Sequence, residues 1–124
     1  MENLSEKISD SELEVMRVLW EAGEPLPITD IRQTLRERKG WEATTVKTLV
    51  QRLVTKGVLS QEKRKVFYYC PLVTEEAYSN WAANDLVHRL FRGSAKELVV
   101  TLVKSEGLSA QDIDELRALF KVEE

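Results

Sequence analysis

At 124 residues, 43% hydrophobic and 31% charged, the chain is too apolar to be disordered and long enough for one domain, with at most a small appendage. The lone cysteine, Cys70, excludes an internal disulfide and a multi-cysteine metal cluster. The opening MENLSEKISD lacks an apolar leader and no run would span a bilayer, so the expected compartment is the cytoplasm, with no membrane insertion.

Net charge is -3, but it is segregated along the chain. Residues 1–30 carry two basic and eight acidic side chains, residues 31–66 ten and three, and residues 74–124 six and ten. A basic block between acidic flanks is a local electrostatic footprint, and for a polyanionic partner that outweighs the total.

Residues 1–8 are expected to be loose. Ser9 followed by Glu12 is a capping-box pattern, and Leu13, Met16, Leu19 and Trp20 continue it as an apolar stripe, giving a helix from about 10 to 22 stopped by Gly23 and Pro25. Its outer side is acidic and should face away from phosphate. Leu26-Pro27-Ile28 is a short extended piece. A second helix, capped by Thr29 or a near neighbour, turns Ile31 and Leu35 inward and ends around Lys39-Gly40. Trp41 sits in the following turn, where packing at the corner is its expected role.

The third helix, Ala43 to about Gly57, is the most informative stretch. Val46, Leu49, Val50 and Leu53 form its apolar stripe. The opposite face carries Thr44, Thr45, Lys47, Thr48, Gln51, Arg52, Thr55 and Lys56, with no carboxylate. A solvated helix ordinarily mixes both signs, because Glu and Lys four residues apart stabilise it. Hydrogen-bond donors without acids suit a polyanion, and short threonines allow close approach to base edges.

Beyond Gly57 the pattern turns to strands. Val58-Leu59-Ser60 and Val66-Phe67-Tyr68-Tyr69-Cys70 flank a basic tip and predict a hairpin. Three helices and then a basic hairpin is the order of a winged helix, in which Lys63, Arg64 and Lys65 would meet phosphates or a minor groove.

Pro71 closes the hairpin. A fourth helix is expected over 74–92, a fifth after the Ser94/Glu97 capping box and a sixth after Ser109 and Asp112. The apolar side chains of residues 74–124 exceed what three short helices can bury by themselves. They either interleave with a second copy in a symmetric dimer or fold back on the winged helix. The candidate dimer residues are Tyr78, Trp81, Leu86, Leu90, Phe91, Leu98, Leu102, Ile113, Leu116, Leu119 and Phe120. His88 stands alone without a second ligand at metal spacing, and Cys70 reads as a small hydrophobe. No nucleophile-base set, phosphate-binding glycine loop or paired-carboxylate arrangement is present, so neither catalysis, a cofactor nor a metal is expected.

The segments ISDSELEVMRVLWEAGEPLPITDIRQTL, WEATTVKTLVQRLVTKGVL, VFYYCPLV and LSAQDIDELRALF together resemble the penicillinase-repressor (BlaI/MecI/CopY) family of winged-helix regulators. The resemblance runs from about Ile8 to Phe120 and is most specific at Trp41, Thr45, Val46, Lys47, Thr48 and Leu49. It implies a mainly α fold with a small β-hairpin: an N-terminal winged helix-turn-helix (residues 1–73) and a C-terminal three-helix dimerisation region (residues 74–124). The implied function is a homodimeric repressor on dyad operator DNA. Thr44, Thr45, Lys47 and Thr48 match the family's major-groove positions, with Arg52 as a further contact and Lys56 at the backbone beside the wing cations.

Two departures concern release from DNA. Copper-responsive members end in closely spaced cysteine pairs, and Lys121-Val122-Glu123-Glu124 has none. Members released by a membrane sensor-protease are cut at an Asn-Phe bond in the fifth helix. The matching pair here is Thr101-Leu102, which speaks against that partner. The alternative function is a winged-helix module that docks an acidic protein surface without reading DNA sequence.

Overall fold

The structure, a computed structural model, describes residues 8–120. Six helices and three short strands follow in the order α1 (Asp10–Ala22), β1 (Leu26–Pro27), α2 (Ile28–Lys39), α3 (Ala43–Thr55), β2 (Leu59–Lys63), β3 (Phe67–Pro71), α4 (Glu75–Phe91), α5 (Ala95–Lys104) and α6 (Ala110–Phe120). The chain divides into two compact units between Ala82 and Ala83, inside α4.

In the first unit, α1 begins with the capping box expected from Ser9 and Glu12. The Glu12 amide donates to the Ser9 hydroxyl (3.1 Å) and the Ser9 amide to the Glu12 carboxylate (2.9 Å). Gly23 ends the helix at φ 71°, a left-handed conformation that costs glycine little. α2 departs from expectation at its start. It begins at Ile28 behind Pro27, whose fixed φ suits a helix entry, and Thr29 lies inside the first turn and caps nothing.

Gly57 closes α3 in a Schellman motif at φ 83°: its amide donates to Val54 (3.0 Å) and the Val58 amide to Leu53 (3.1 Å). Val58 and Leu53 are both buried in the core, which supplies the apolar contact that accompanies this motif.

The hairpin is longer and tighter than its sequence suggests. Lys63 pairs with Phe67, so Lys63 belongs to β2 and only Arg64, Lys65 and Val66 form the tip. Leu26 and Pro27 add a third antiparallel strand against Tyr69 and Tyr68, and the sheet order is β1-β3-β2. One hydrophobic core joins Val15, Met16 and Leu19 of α1, Ile31 and Leu35 of α2, and the α3 stripe, closed by Leu59 and Tyr69 of the sheet.

Three corrections to the sequence expectations follow from this core. Ile8, expected in a loose segment, is 2% exposed. Tyr78 is buried in the core of the first unit and Trp81 packs against it, with ring centroids of Trp20 and Tyr78 6.3 Å apart and of Tyr78 and Trp81 5.8 Å apart. The sequence pattern assigns both to a dimer interface instead. The first turns of α4 therefore complete the winged helix, because Trp20 and Val73 offer an apolar seat there, and the Trp20 indole donates to the Val73 carbonyl at 2.9 Å. The loose start expected for residues 1–7 and the cysteine-free tail at 121–124 lie outside the described residues.

In the second unit, Ser109 and Asp112 form a reciprocal capping box at α6, both bonds 3.0 Å. At α5 only half of the expected box forms: Ser94 accepts from the Glu97 amide (3.2 Å), while its own amide donates to Phe91. Neither α5 nor α6 has a buried residue. No helix of the described residues is long and apolar enough to cross a membrane.

Candidate nucleic-acid interface

The 3.6-residue repeat of α3 divides its side chains cleanly. Val46, Leu49, Val50 and Leu53 are buried, and Thr44, Thr45, Lys47, Thr48, Gln51, Arg52 and Thr55 are exposed. Lys47, Thr48, Gln51, Arg52 and Thr55 line one shallow open strip. Within it the Thr48 hydroxyl donates to the Thr44 carbonyl at 3.0 Å, a side-chain bond back onto the helix's own backbone. No ion pair engages Lys47 or Arg52 among the described residues. Four of the five expected major-groove residues thus share one carboxylate-free face with Thr45 at its entry turn.

Lys56 stands apart from that set. Its ammonium lies 2.6 Å from Glu12 Oε1, with side-chain exposures of 19% for Lys56 and 3% for Glu12. Burial pushes the Glu12 carboxyl upward. The hydrogen bond from Lys56, the Ser9 amide, the Lys56 charge and the Ser9 hydroxyl outweigh it and hold the group below its ordinary value. The ion pair ties the start of α1 to the end of α3. Sequence alone could not separate Lys56 from the other cations, because its partner lies 44 positions away.

The hairpin cations are individually supported. Arg64 lies over the Tyr68 ring at 4.2 Å and pairs with Glu62 at 3.1 Å, while Lys63 stands 5.9 Å from the Phe67 centroid. Lys65 is exposed at the tip, with Val66 41% and Phe67 37% exposed beside it.

Charge on α1 and α2 is partitioned in a way the sequence concealed. Arg38 pairs with Glu21 at 2.7 Å and Lys39 with Glu14 at 3.6 Å, so the acidic side of α1 neutralises the end of α2. Arg32 and Arg36 are left outside those pairs. Tyr69 of β3 is buried. Desolvation raises its phenol, opposed by the Arg32 charge and by a hydrogen bond with the Gln51 side chain. The Arg32 charge and the Gln51 side chain thus both act on the Tyr69 phenol, an electrostatic junction of α2, α3 and β3 that no local pattern announced.

The described residues contain no group of three or more His, Cys, Asp or Glu side chains able to hold a metal ion.

A recognition helix presenting an acid-free face beside a basic two-stranded wing defines the winged-helix DNA-binding fold class. Solved structures agree. The chain aligns with the solution structure of the DNA-binding domain of the repressor BlaI at 34% identity and TM-score 0.55, covering 63% of this chain and 94% of that one. It aligns equally with Bacillus licheniformis BlaI, solved as a monomer in complex with the blaP half-operator, at TM-score 0.54 and the same coverage.

Residues 8–122 match the penicillinase repressor family model, and the chain belongs to that family. Among its relatives are the penicillinase repressor of Bacillus licheniformis, 31% identical over 93% of this chain and 90% of that protein, and the methicillin resistance regulatory protein MecI of Staphylococcus aureus, 31% identical over 97% and 98%.

Proposed function

We propose that the protein is a homodimeric transcriptional repressor that reads a dyad operator through α3 and is released by a signal of its own. The carrying observation is the exposed face of α3, with four exposed threonines, Lys47, Gln51 and Arg52 and no acid, in a chain whose relatives are repressors. Thr44, Thr45, Lys47 and Thr48 meet base edges, and Arg52 extends the contact along the groove. Lys63, Arg64 and Lys65 meet the backbone, which gives affinity without sequence preference. Lys56 is omitted from that set because Glu12 already holds it.

The dimer reading draws support from the second unit. Leu90 is 63% exposed, Leu119 67% and Phe120 75%, and Leu102 and Leu116 are exposed as well. Leu86, Phe91, Leu98 and Ile113 are half-buried within the single chain. So large an apolar surface on so small a helical unit requires a partner, and a second copy satisfies it with closed symmetry. The Thr101-Leu102 bond lies inside α5, and it differs from the Asn-Phe pair that sensor-proteases cut, so release proceeds without cleavage there.

Selection of duplexes from a randomised pool by the full chain tests the proposal. It should return an inverted repeat whose half-sites lie about 34 Å apart, one helical turn. Recovery of unrelated sequences, or of single half-sites, would contradict it.

A further inference from the structure

Thr29, Arg32, Gln33 and Arg36 recur at one-turn spacing on a single face of α2. With Trp41 and Ala43 they line a groove of about 290 Å³ that runs to the first residue of α3. Arg32 and Arg36 lie four positions apart, where like charges on a helix destabilise one another. Neither forms an ion pair among the described residues, whereas the two cations that follow on the same helix, Arg38 and Lys39, are each matched by a carboxylate of α1. Glu37 turns to the amide of Gln33 (3.2 Å) and not to either arginine. The Arg32 Nε is moreover buried without a hydrogen-bond partner, a state that buried donors rarely hold.

We infer that this α2 groove is a second phosphate site, in which Arg32 and Arg36, with the Thr29 hydroxyl, clamp a backbone phosphate of the DNA whose bases α3 reads. It rests on the proposed function above. A phosphate there relieves the repulsion between the two arginines. It also anchors the strand at the N-terminal end of α3, opposite in the helix to the side where the wing follows. Such an anchor fixes register and carries no sequence information.

The test is a salt titration of the full chain on two probes: a duplex selected by the wild-type protein and a random duplex of equal length. Arg36→Gln should weaken both by the same factor. It should also reduce the slope of log affinity against log salt by about 0.9 for each phosphate that is no longer neutralised, hence about 1.8 for a dimer. Arg36→Lys should recover most of the slope, and Arg32→Gln should act in the same direction. An unchanged slope in Arg36→Gln overturns the inference, and so does a weakening confined to the selected duplex, which would make Arg36 a base reader. Failure of the underlying function looks different: wild type itself would bind both probes alike.

Discussion

Lys47 and Lys56 show how much a single neighbour decides. Both lie on the polar side of α3, yet Lys47 projects into the open strip and Lys56 closes on a carboxylate that is 3% exposed. Lys47→Ala should therefore cost about 1–3 kcal/mol of discrimination per base pair read, with little effect on folding. Lys56→Met should leave discrimination alone and lower unfolding stability by about 2–3 kcal/mol, because it strands Glu12 in the core; chemical denaturation measures that. The pH dependence has a definite sign. The Glu12 carboxyl is lowered in the folded state, so its contribution is present above the ordinary glutamate pKa and is lost as pH falls through the depressed value. The stability gap between wild type and Glu12→Gln should therefore shrink steadily on acidification through that range. The polar residues of the α3 face are legible from spacing alone. The Lys56–Glu12 pair and the Tyr69 junction are not, since each joins residues far apart in sequence whose types permit many partners.

Among the elements, α1, α3 and the hairpin are legible because each is announced locally, by a capping box, an unbroken apolar stripe and alternating β-branched and aromatic residues around a polar tip. α2 starts a residue before its expected cap because Pro27 supplies the entry conformation without a side-chain bond. The first half of α4 is misassigned by pattern for a physical reason. Periodicity reports that Tyr78 and Trp81 face something apolar but cannot say whether that surface is the same chain or another. The packing of Trp20, Tyr78 and Trp81 predicts that Tyr78→Ala destabilises the winged helix by about 3 kcal/mol and lowers its melting temperature. At the hairpin, replacing Lys63, Arg64 and Lys65 together by Gln should weaken binding to selected and random DNA about equally and flatten the salt slope.

For the molecule as a whole, the segregated charge makes sense despite a net value of -3. The acids of α1 quench the end of α2, while the α3 face, Lys65 and the Arg32–Arg36 groove keep their positive charge. The exposed apolar side chains of the second unit predict that Leu116, Leu119 and Phe120 changed together to Ser yield a monomer by sedimentation. Operator affinity would fall because the half-sites are then bound one at a time. In the proposed function α3 reads sequence while the surrounding cations hold the backbone. Salt-titrated binding of wild type and Lys47→Ala to the selected duplex and to random DNA tests it most directly. The expected result is a preference for the selected duplex in wild type that collapses in Lys47→Ala, with the salt slope on random DNA reduced by no more than that one cation can contribute. Equal wild-type affinity for the two duplexes, or a preference that survives Lys47→Ala intact, would contradict it.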